Sequence, residues 1–526
     1  MQQSRKHVIM IASENDALVG GKIGGVGDVV RDLPCALARH GGLAPLGWNV
    51  TVITPSYGFL HQKNPSQFYS RVNFPFRGKQ HEAKVWKVTP KQVCIGITHF
   101  VIEHEGIRGD PIYYNDPHET PFMRDATKYA MFCSAVGQFL KLIEHPFVLH
   151  LHDWHAATLF LLRELHEEFS NLKGIHTAFT IHNLAIQGTR PMRSHESSVE
   201  RWFPELFHDQ QWVNGWRDPR YKTPCYTPMA VGIKYADKVN TVSPSYAEEI
   251  LRPSDHQNGF YGGEGLEHLL QEVNVQHRLY GILNGCEYRE TVVPKRLTFS
   301  ELCDALSSNV ALINNSHPSA LNEELLQRIN TLKQPPPLFI LTSVTRIVDQ
   351  KIKLLFAICS DGASAIEKIM RMVDKQRGLF IILGSGTADY EQLLTQASER
   401  FRRLMFIKGY SESIARALYA NGTLFVMPSS FEPCGISQML AMRDGQPCIV
   451  HAVGGLRDTV QHGVNGFSFA GERLTSQVDA LTNVVEQALD IFLTDTKQWE
   501  RIRTAATNAR FTWEKSAREY GEVMYV

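Results

Sequence analysis

Short apolar runs recur along this chain in two groups, and they constrain its fold more than any other feature. The first group comprises residues 8–11, 50–53, 147–150, 177–180 and 239–242. The second group comprises residues 338–341, 380–383, 405–407, 424–427 and 448–450. Helical patterns separate the runs, and this alternation is typical of βαβ units on a parallel sheet. The sequence therefore predicts an α/β protein with two parallel sheets.

The length of the chain also favours two domains. At 526 residues it is too long for one hydrophobic core and suits two domains of more than about 200 residues each. A polar segment from about 287 to 337 separates the two groups of runs and suits a hinge followed by helices. We therefore predict domains at 1–286 and 287–508, followed by a C-terminal segment, 509–526. Residues 511–520 have the pattern of an amphipathic helix with Ala517 and Tyr520 on one face.

Charge and composition exclude several classes of partner. The formal net charge is zero and the two signs are interspersed, so we expect no nucleic-acid partner. No apolar run approaches the ~20 residues of a membrane-spanning helix, and the apolar stretch 8–12 is too short for the core of a signal peptide. The nine cysteines are scattered, odd in number and without Cys-x-x-Cys spacing. This argues against a disulfide framework and against a structural zinc site. We expect a soluble protein of the reducing cytoplasm, without a membrane partner.

A loop rich in polar residues and glycine follows the apolar run 424–427. It places Glu432 between Phe431 and Pro433, ahead of Cys434 and Gly435. In an open α/β sheet, ligands bind beyond the carboxyl ends of the strands. A loop that merely turns the chain is the alternative, but a turn needs fewer special residues, and functional groups concentrate on such loops.

These residues also carry a family resemblance. Residues 431–435, 441–443, 445, 454–456 and 458–460 resemble the signature of bacterial glycogen synthases and plant starch synthases, glycosyltransferase family 5. The resemblance covers nearly the whole chain. It implies the GT-B fold, in which two Rossmann-like domains have parallel sheets facing each other across a deep cleft and the last helix packs back on the first domain.

The resemblance also implies the reaction. Such enzymes transfer glucose from ADP-glucose to the 4-hydroxyl at the non-reducing end of an α-1,4-glucan, such as glycogen or a maltooligosaccharide, with retention. Neither a cofactor nor a metal ion is expected. UDP-glucose is the alternative donor, and a catalytically silent relative that binds glucan or nucleotide is the alternative to an enzyme. Glucan phosphorylases are disfavoured because we find no lysine segment of the kind that holds pyridoxal phosphate.

A glycine-rich loop, 20–28, follows the first apolar run. Glycines such as Gly24 and Gly25 let backbone amides approach a phosphate, the next helix adds a positive dipole end, and Lys22 adds a full charge. The spacing fits neither a Walker loop nor a dinucleotide fingerprint, and a structural turn is an equal alternative. The resemblance implies that Lys22 meets the phosphates of the nucleotide sugar.

Two cations, Arg346 and Lys351, follow the first run of the second group. Cations at the carboxyl edge of a sheet can neutralise a diphosphate leaving group, although two cations on a solvated turn are the ordinary alternative. The resemblance implies the leaving-group role. Ile352 stands where the family commonly has glycine, and Ser430 and Val453 replace a common arginine and threonine.

The segment His152-Asp153-Trp154-His155 suggests a metal site at first sight. We predict none, because neighbouring residues in a turn point apart and no His-x-x-x-His spacing is present. The resemblance implies instead that Asp153 lies near the donor sugar and the acceptor hydroxyl. It also implies that His182 contacts the transferred glucose, although a lone histidine at a strand end is ordinarily structural.

The resemblance assigns the remaining residues to the donor. Tyr410 stacks on the base, and stacking tolerates most bases. Gly384, Gly454 and Gly455 lie on the nucleotide and phosphate side. Glu432 binds and orients the donor sugar, together with Cys434 and Gly435. The acceptor-side segment, 116–129, matches the family only loosely.

Overall fold

The computed structural model describes residues 6–40, 47–109, 111–114, 116, 121–144, 146–208, 215–288, 296–316, 320–331 and 335–526. Pro117 and His118 of the predicted acceptor-side segment and residues 289–295 of the predicted hinge lie outside these ranges. Contacts divide the chain into two units. Unit 1 comprises Met1–Ser254, Gly262–Gly285 and Trp513–Val526, and unit 2 comprises Asp255–Tyr261 and Cys286–Thr512.

A mostly parallel sheet forms the centre of unit 1. In the described residues its order is β11-β10-β7-β6-β1-β2-β5-β4-β3. The strands are β1 (Lys6–Ile11), β2 (Trp48–Pro55), β3 (Ser66–Phe76), β4 (Lys79–Val88), β5 (Ile97–Glu103), β6 (Val148–His152), β7 (Thr177–Ile181), β10 (Lys238–Thr241) and β11 (Leu279–Gly281), with a separate small pair of β8 (Arg190–Pro191) and β9 (Cys225–Tyr226). The helices are α1 (Gly25–His40), α2 (Leu60–Lys63), α3 (Met123–Leu140), α4 (Asp153–Leu165), α5 (Val199–Trp202), α6 (Pro228–Tyr235), α7 (Pro244–Glu249) and α8 (Glu267–Val275).

The apolar runs of the first group lie in β1, β2, β6, β7 and β10, as predicted. Continuous apolar runs mark these strands because a parallel sheet is covered on both faces. The hairpin of β3 and β4 was not predicted. These strands are antiparallel, and β3 is largely exposed along its first half, so its sequence lacks a continuous apolar run. The turn between them places Arg77 and Gly78 at positive φ, as the tight turn of a hairpin requires.

Unit 2 is built on a second parallel sheet, as predicted. In the described residues the order is β14-β13-β12-β15-β16-β17. The strands are β12 (Ile340–Val344), β13 (Leu379–Gly384), β14 (Leu404–Lys408), β15 (Leu424–Met427), β16 (Cys448–His451) and β17 (Gly466–Phe469). The helices are α9 (Phe299–Ser316), α10 (Ala320–Thr331), α11 (Asp349–Phe356), α12 (Ala365–Lys375), α13 (Ala388–Arg400), α14 (Glu412–Asn421), α15 (Ser437–Arg443), α16 (Gly454–Thr459), α17 (Leu474–Thr494) and α18 (Thr496–Asn508).

The C-terminal helix, Trp513–Glu519, and the π-helical turn Tyr520–Met524 belong to unit 1. Ala517 and Tyr520 are fully buried in one apolar cluster that also includes Val8 of β1 and Leu33 of α1. The predicted apolar face of this helix is therefore observed.

One cysteine pair corrects the expectation from cysteine spacing. Cys35 of α1 and Cys94, in the loop before β5, form a disulfide. The other seven cysteines are not part of a disulfide. Spacing gave no sign of this pair because its partners are 59 residues apart and meet only when the loop packs against the helix. None of the helices in the described residues is both long and apolar enough to cross a membrane.

Candidate active site

The loop after β15 holds a buried ion pair. Lys351, in the first turn of α11, donates from Nζ to Glu432 Oε2 at 2.5 Å and to the carbonyl oxygen of Phe431 at 3.1 Å. The hydroxyl of Ser429 donates to the same carboxylate oxygen at 3.2 Å. Burial lowers the pKa of Lys351, and the Glu432 carboxylate opposes this shift. Two predicted site residues, 81 positions apart, are thus brought into direct contact.

The glycines near this loop have a packing role. A Cβ atom on Gly454 would lie 2.1 Å from the carbonyl oxygen of Glu432, and one on Gly455 would lie 2.3 Å from that of Cys434. The amide of Gly455 donates to the carbonyl oxygen of Glu432 at 3.2 Å. Gly435 has a φ of +77°. Gly454 and Gly455 therefore let α16 lie directly against the Glu432 loop, and their role toward phosphate stays a prediction, as does the role of Gly435 toward the donor sugar.

Arg346, Gly384 and Tyr410 lie at or just beyond the carboxyl ends of β12, β13 and β14, which are neighbours in the sheet. The side chain of Arg346 is exposed, and Tyr410 is 65% exposed. Gly384 packs so closely that a Cβ atom there would lie 1.9 Å from the carbonyl oxygen of Thr345. One edge of the sheet therefore presents a guanidinium and an aromatic ring to solvent.

Two of the three departures from the expected pattern, Ile352 and Ser430, make local contacts of their own. Ile352 is 1% exposed and lies within α11, where its side chain joins the core, so the helix continues where a glycine is usual. Ser430 donates from its amide to the carbonyl oxygen of Gln350 at 2.9 Å, and its hydroxyl lies 3.3 Å from the same oxygen. Val453 precedes α16 without a side-chain cap.

In unit 1, Asp153 occupies a strained position at the start of α4. Its φ is +55°, a left-handed conformation that is uncommon for residues other than glycine. Oδ1 accepts a hydrogen bond from the amide of His182 at 2.8 Å. Burial raises the pKa of Asp153 to about 7, and backbone amides partly oppose this shift. The carboxyl group can therefore take up or release a proton near neutral pH.

His182 is held by a second histidine. His152 Nδ1 and His182 Nε2 are 2.9 Å apart, and burial lowers the pKa of His182 to about 3, so the imidazole is neutral. Among the described residues, nothing hydrogen-bonds the buried Nε2 of His152. A buried N–H without an acceptor is rare, so we assign the proton of His152 to Nδ1, where it donates to His182. His182 then carries its own proton on Nδ1 and can donate it to a ligand hydroxyl.

The glycine-rich loop holds a carboxylate that sequence analysis missed. Glu14 Oε2 accepts hydrogen bonds from the amides of Ile23 and Gly24, at 2.7 and 2.6 Å, and Oε1 accepts one from the hydroxyl of Tyr113 at 2.8 Å. The loop therefore binds an anionic group, and that group belongs to the chain itself. A phosphate that accepted a hydrogen bond from the Gly24 amide would compete with the Glu14 carboxylate for it. The phosphate-binding role of Gly24 therefore stays a prediction.

Lys22 and Gly25 have open surroundings. Lys22 Nζ pairs with Asp28 Oδ1 at 2.6 Å, and its side chain is 43% exposed. In the part of the chain that the structure describes, no atom apart from its chain neighbours and the backbone of its own helix lies within 4 Å of the position that a Cβ atom on Gly25 would take. Space remains here for a ligand.

The sequence does not predict the contacts of Glu14 and His152, although the position of Glu14 in the chain hints at its location. Glu14 follows β1 by three positions, so its place at the carboxyl edge of the sheet could have been noticed. The sequence pattern around His152 suggests only a metal ligand, whereas in the structure His152 contacts His182. Within the described residues no three His, Cys, Asp or Glu side chains are grouped so that they could hold a metal ion.

Comparison with known proteins decides the family. Residues 7–272 match the starch synthase catalytic domain, and residues 361–489 match the glycosyl transferases of group 1. Glycogen synthase of Exiguobacterium sibiricum is 33% identical, with 95% of each chain covered. The chain belongs to the glycogen and starch synthase family. Glycogen synthase of Bacillus anthracis, another member, is 30% identical over 95% of each chain.

Solved structures show that this family member has the GT-B fold. The catalytic domain of starch synthase IV from Arabidopsis thaliana, bound to ADP and acarbose, has a TM-score of 0.74 at 23% identity, with 99% of each chain covered. Sucrose-phosphate synthase from Thermosynechococcus elongatus has a TM-score of 0.53 at 17% identity, with 98% covered. As a member of the glycogen and starch synthase family, the protein is a glycosyltransferase that transfers glucosyl units to glucan chains.

Proposed function

We propose that this enzyme transfers glucose from ADP-glucose to the 4-hydroxyl at the non-reducing end of an α-1,4-glucan, glycogen or maltooligosaccharide, with retention. The glycogen synthase relatives support the acceptor, and the starch synthase of the same fold bound to ADP supports the nucleotide. The observation that carries the chemistry is the buried Lys351–Glu432 pair beyond the carboxyl end of β15.

In this proposal Lys351 has two tasks. Its ammonium group orients the Glu432 carboxylate, and together with Arg346 and Lys22 it neutralises the charge that accumulates on the departing diphosphate. Glu432 orients the donor sugar and stabilises the positive charge that develops at the anomeric carbon. Both members of the pair are buried, and electrostatic stabilisation is stronger where water is excluded.

Retention does not require a covalent intermediate in this scheme. A retaining glycosidase uses two carboxyl groups roughly 5 Å apart, one of them as the nucleophile. Glu432 is paired with an ammonium group, which favours an electrostatic role for its carboxylate. We assign the acceptor proton to the departing diphosphate, which leaves from the face that the acceptor attacks.

Asp153 and His182 are assigned to the sugar and the acceptor hydroxyl. The neutral His182 donates from Nδ1 to a sugar hydroxyl, and Asp153 holds the His182 backbone in place. Tyr410 stacks on the base. The reaction needs no cofactor and no metal ion, because side-chain cations serve the leaving group.

An activity assay tests the proposal. The purified protein is incubated with glycogen and either ADP-glucose or UDP-glucose, and both nucleotide release and chain extension are measured. We expect ADP release with extension, and new linkages that an α-1,4-specific exo-hydrolase removes. A folded protein that binds ADP but extends no glucan with either donor would favour the catalytically silent alternative. Faster turnover with UDP-glucose would reassign the donor.

A further inference from the structure

A third histidine ring packs against His152 on the side away from His182. His150 lies two residues before His152 on β6, on the same face of the sheet, and their ring centroids are 4.1 Å apart. The centroids of His152 and His182 are 5.2 Å apart. His150 and His152 are fully buried. The imidazoles therefore form a row that leads from the candidate site into the core of unit 1.

The row ends at the C-terminal segment. His150 Nδ1 lies 2.9 Å from the hydroxyl oxygen of Tyr525, and His150 Nε2 lies 2.7 Å from Thr180 Oγ1. The ring of Tyr525 packs edge-on against Trp48 of β2, with centroids 5.1 Å apart. Tyr525 is 4% exposed, so its contact with His150 is shielded from water.

The direction of these hydrogen bonds follows from Thr180 and Asn240. The Thr180 hydroxyl donates to Asn240 Oδ1 at 2.6 Å, and Asn240 Nδ2 donates to the hydroxyl oxygen of Tyr520 at 2.9 Å. Because a hydroxyl has one proton, Thr180 Oγ1 accepts from His150 Nε2. Burial lowers the pKa of His150 to about 3, so its imidazole is neutral and Nδ1 has no proton. The Tyr525 hydroxyl, whose pKa burial raises, is therefore the donor to His150 Nδ1.

This network has a cost that apolar side chains would avoid. Strands β6, β7 and β10 are neighbours in the sheet, and each contributes a polar side chain to the network. A buried polar group is unfavourable unless it is hydrogen-bonded, and the C-terminal tyrosines supply the outer partners. A satisfied network fixes one arrangement of its side chains. It therefore sets the orientation of the His150 ring.

We propose that Tyr525 is a positioning residue for His182. The Tyr525 hydroxyl holds the His150 ring, and the His150 ring supports the ring of His152. His152 in turn donates to His182 Nε2, which keeps the proton of His182 on Nδ1. This inference rests on the proposed function, since it takes His182 to contact the reacting sugar. It gives the C-terminal segment a task beyond covering α1 and β1.

Kinetics of Tyr525→Phe test the proposal. The variant removes the hydroxyl but keeps the ring that packs against Trp48. Loss of one hydrogen bond behind His182 should lower kcat about five- to tenfold, while KM for ADP-glucose and Kd for ADP stay unchanged. The matched control is Tyr226→Phe, because Tyr226 is another fully buried tyrosine of unit 1 and its hydroxyl donates to Thr158 Oγ1 at 3.3 Å. The control should keep the wild-type kcat.

Histidine nitrogen NMR gives a second readout that needs no turnover. In the wild type, we expect the proton of His150 on Nε2 and that of His182 on Nδ1. In Tyr525→Phe, His150 Nδ1 has lost its donor, so the ring no longer has one fixed orientation and His182 should show a mixture of tautomers. Tyr226→Phe should have the wild-type spectrum.

A double-mutant cycle tests whether Tyr525 acts through His150. His150→Phe fills the same place without ring nitrogens. Added to this variant, Tyr525→Phe should change kcat by less than about twofold, because residues of one hydrogen-bond network have non-additive effects. If the two effects on kcat multiply, Tyr525 does not act through His150 and the proposal is wrong.

The outcomes separate the two proposals. Absence of glucan extension by the wild type would refute the proposed function, and the NMR comparison would still test the link from Tyr525 to His182. With normal extension by the wild type, either an unchanged kcat or a single His182 tautomer in Tyr525→Phe would refute the positioning role. A lower unfolding temperature alone would mean that the hydroxyl serves only stability. If His150→Phe does not fold, the kinetic and NMR results for Tyr525→Phe decide.

Discussion

Lys351 and Glu432 form a buried ion pair in which Nζ lies 2.5 Å from Oε2. Lys351 lies in the first turn of a helix, where the positive end of the helix dipole disfavours a cation. The Glu432 carboxylate offsets this and fixes the direction of the ammonium group. Each residue therefore depends on the other for its position.

Removal of Lys351 should affect stability and activity together. Lys351→Ala leaves a buried carboxylate without its partner, which should lower the free energy of unfolding by about 3–5 kcal/mol. Turnover should fall by at least about a hundredfold, because the leaving group loses a cation. Lys353→Ala, in the same helix but with a partly exposed side chain, should change stability by less than about 0.5 kcal/mol. Denaturant titration and ADP release measure both effects, and equal behaviour of the two variants would contradict the assignment.

Removal of the Glu432 carboxylate should separate catalysis from nucleotide binding. Glu432→Ala is expected to lower kcat by two to three orders of magnitude, since a preorganised charge at the reacting centre is lost. ADP affinity, measured by calorimetry, should change little because Arg346 remains. Glu412→Gln, which alters an exposed carboxylate of unit 2, serves as the control. Normal turnover by Glu432→Ala would exclude the proposed role.

The hydrogen bond from His152 should fix the tautomer of His182. His152→Leu removes the donor, and kcat/KM for ADP-glucose should fall roughly tenfold. His152→Gln keeps an N–H donor and should retain most of the activity. Histidine nitrogen NMR should show one His182 tautomer in the wild type and a mixture in His152→Leu. A purely structural role for His152 would leave the tautomer unchanged while stability falls.

Substitution of Gly455, beside the Glu432 loop, should lower stability more than substitution of Gly25 in the glycine-rich loop 20–28. Gly455→Ala places a Cβ atom 2.3 Å from the carbonyl oxygen of Cys434, so the Glu432 loop must shift, at a cost of about 1–3 kcal/mol. Gly25→Ala places its Cβ atom in open space and should leave the unfolding temperature nearly unchanged. Thermal unfolding of both variants measures the contrast. Equal destabilisation would mean that the close contact at Gly455 relaxes freely.

The sequence predicts ten of the parallel strands because each contains a short apolar run, but it does not predict the parallel strands β5, β11 and β17. It also places Glu432 and Arg346 after strands, at the edge where ligands bind. It cannot predict that β12 and β15 are neighbours, and this adjacency brings Lys351 to Glu432. The sequence also cannot predict the hydrogen bonds from the glycine-rich loop to Glu14 or the Cys35–Cys94 disulfide. Both contacts form only when tertiary packing brings the partners together. The site roles themselves come from the family resemblance.

The raised pKa of Asp153 predicts a pH dependence of stability with a definite sign. Burial raises this pKa from 3.8 to about 7, so between these values the folded protein binds a proton that the unfolded chain does not. The contribution of Asp153 to stability therefore falls as the pH rises from about 4 to about 7, and it is constant above that range.

Comparison with Asp153→Asn isolates this contribution. The buried histidines, such as His182 with its lowered pKa, act in the opposite direction, because their protonation in the unfolded chain reduces stability below about pH 6.5. They are present in both proteins, so the difference between the two unfolding free energies removes their effect. Relative to wild type, the variant should gain up to about 4 kcal/mol between pH 4 and pH 7, since a factor of ten in proton affinity corresponds to about 1.4 kcal/mol. Urea titrations at half-unit pH steps measure the difference. A difference that is flat across this range would mean that Asp153 is ionised at low pH, and its assignment as a group that exchanges a proton near neutrality would be wrong.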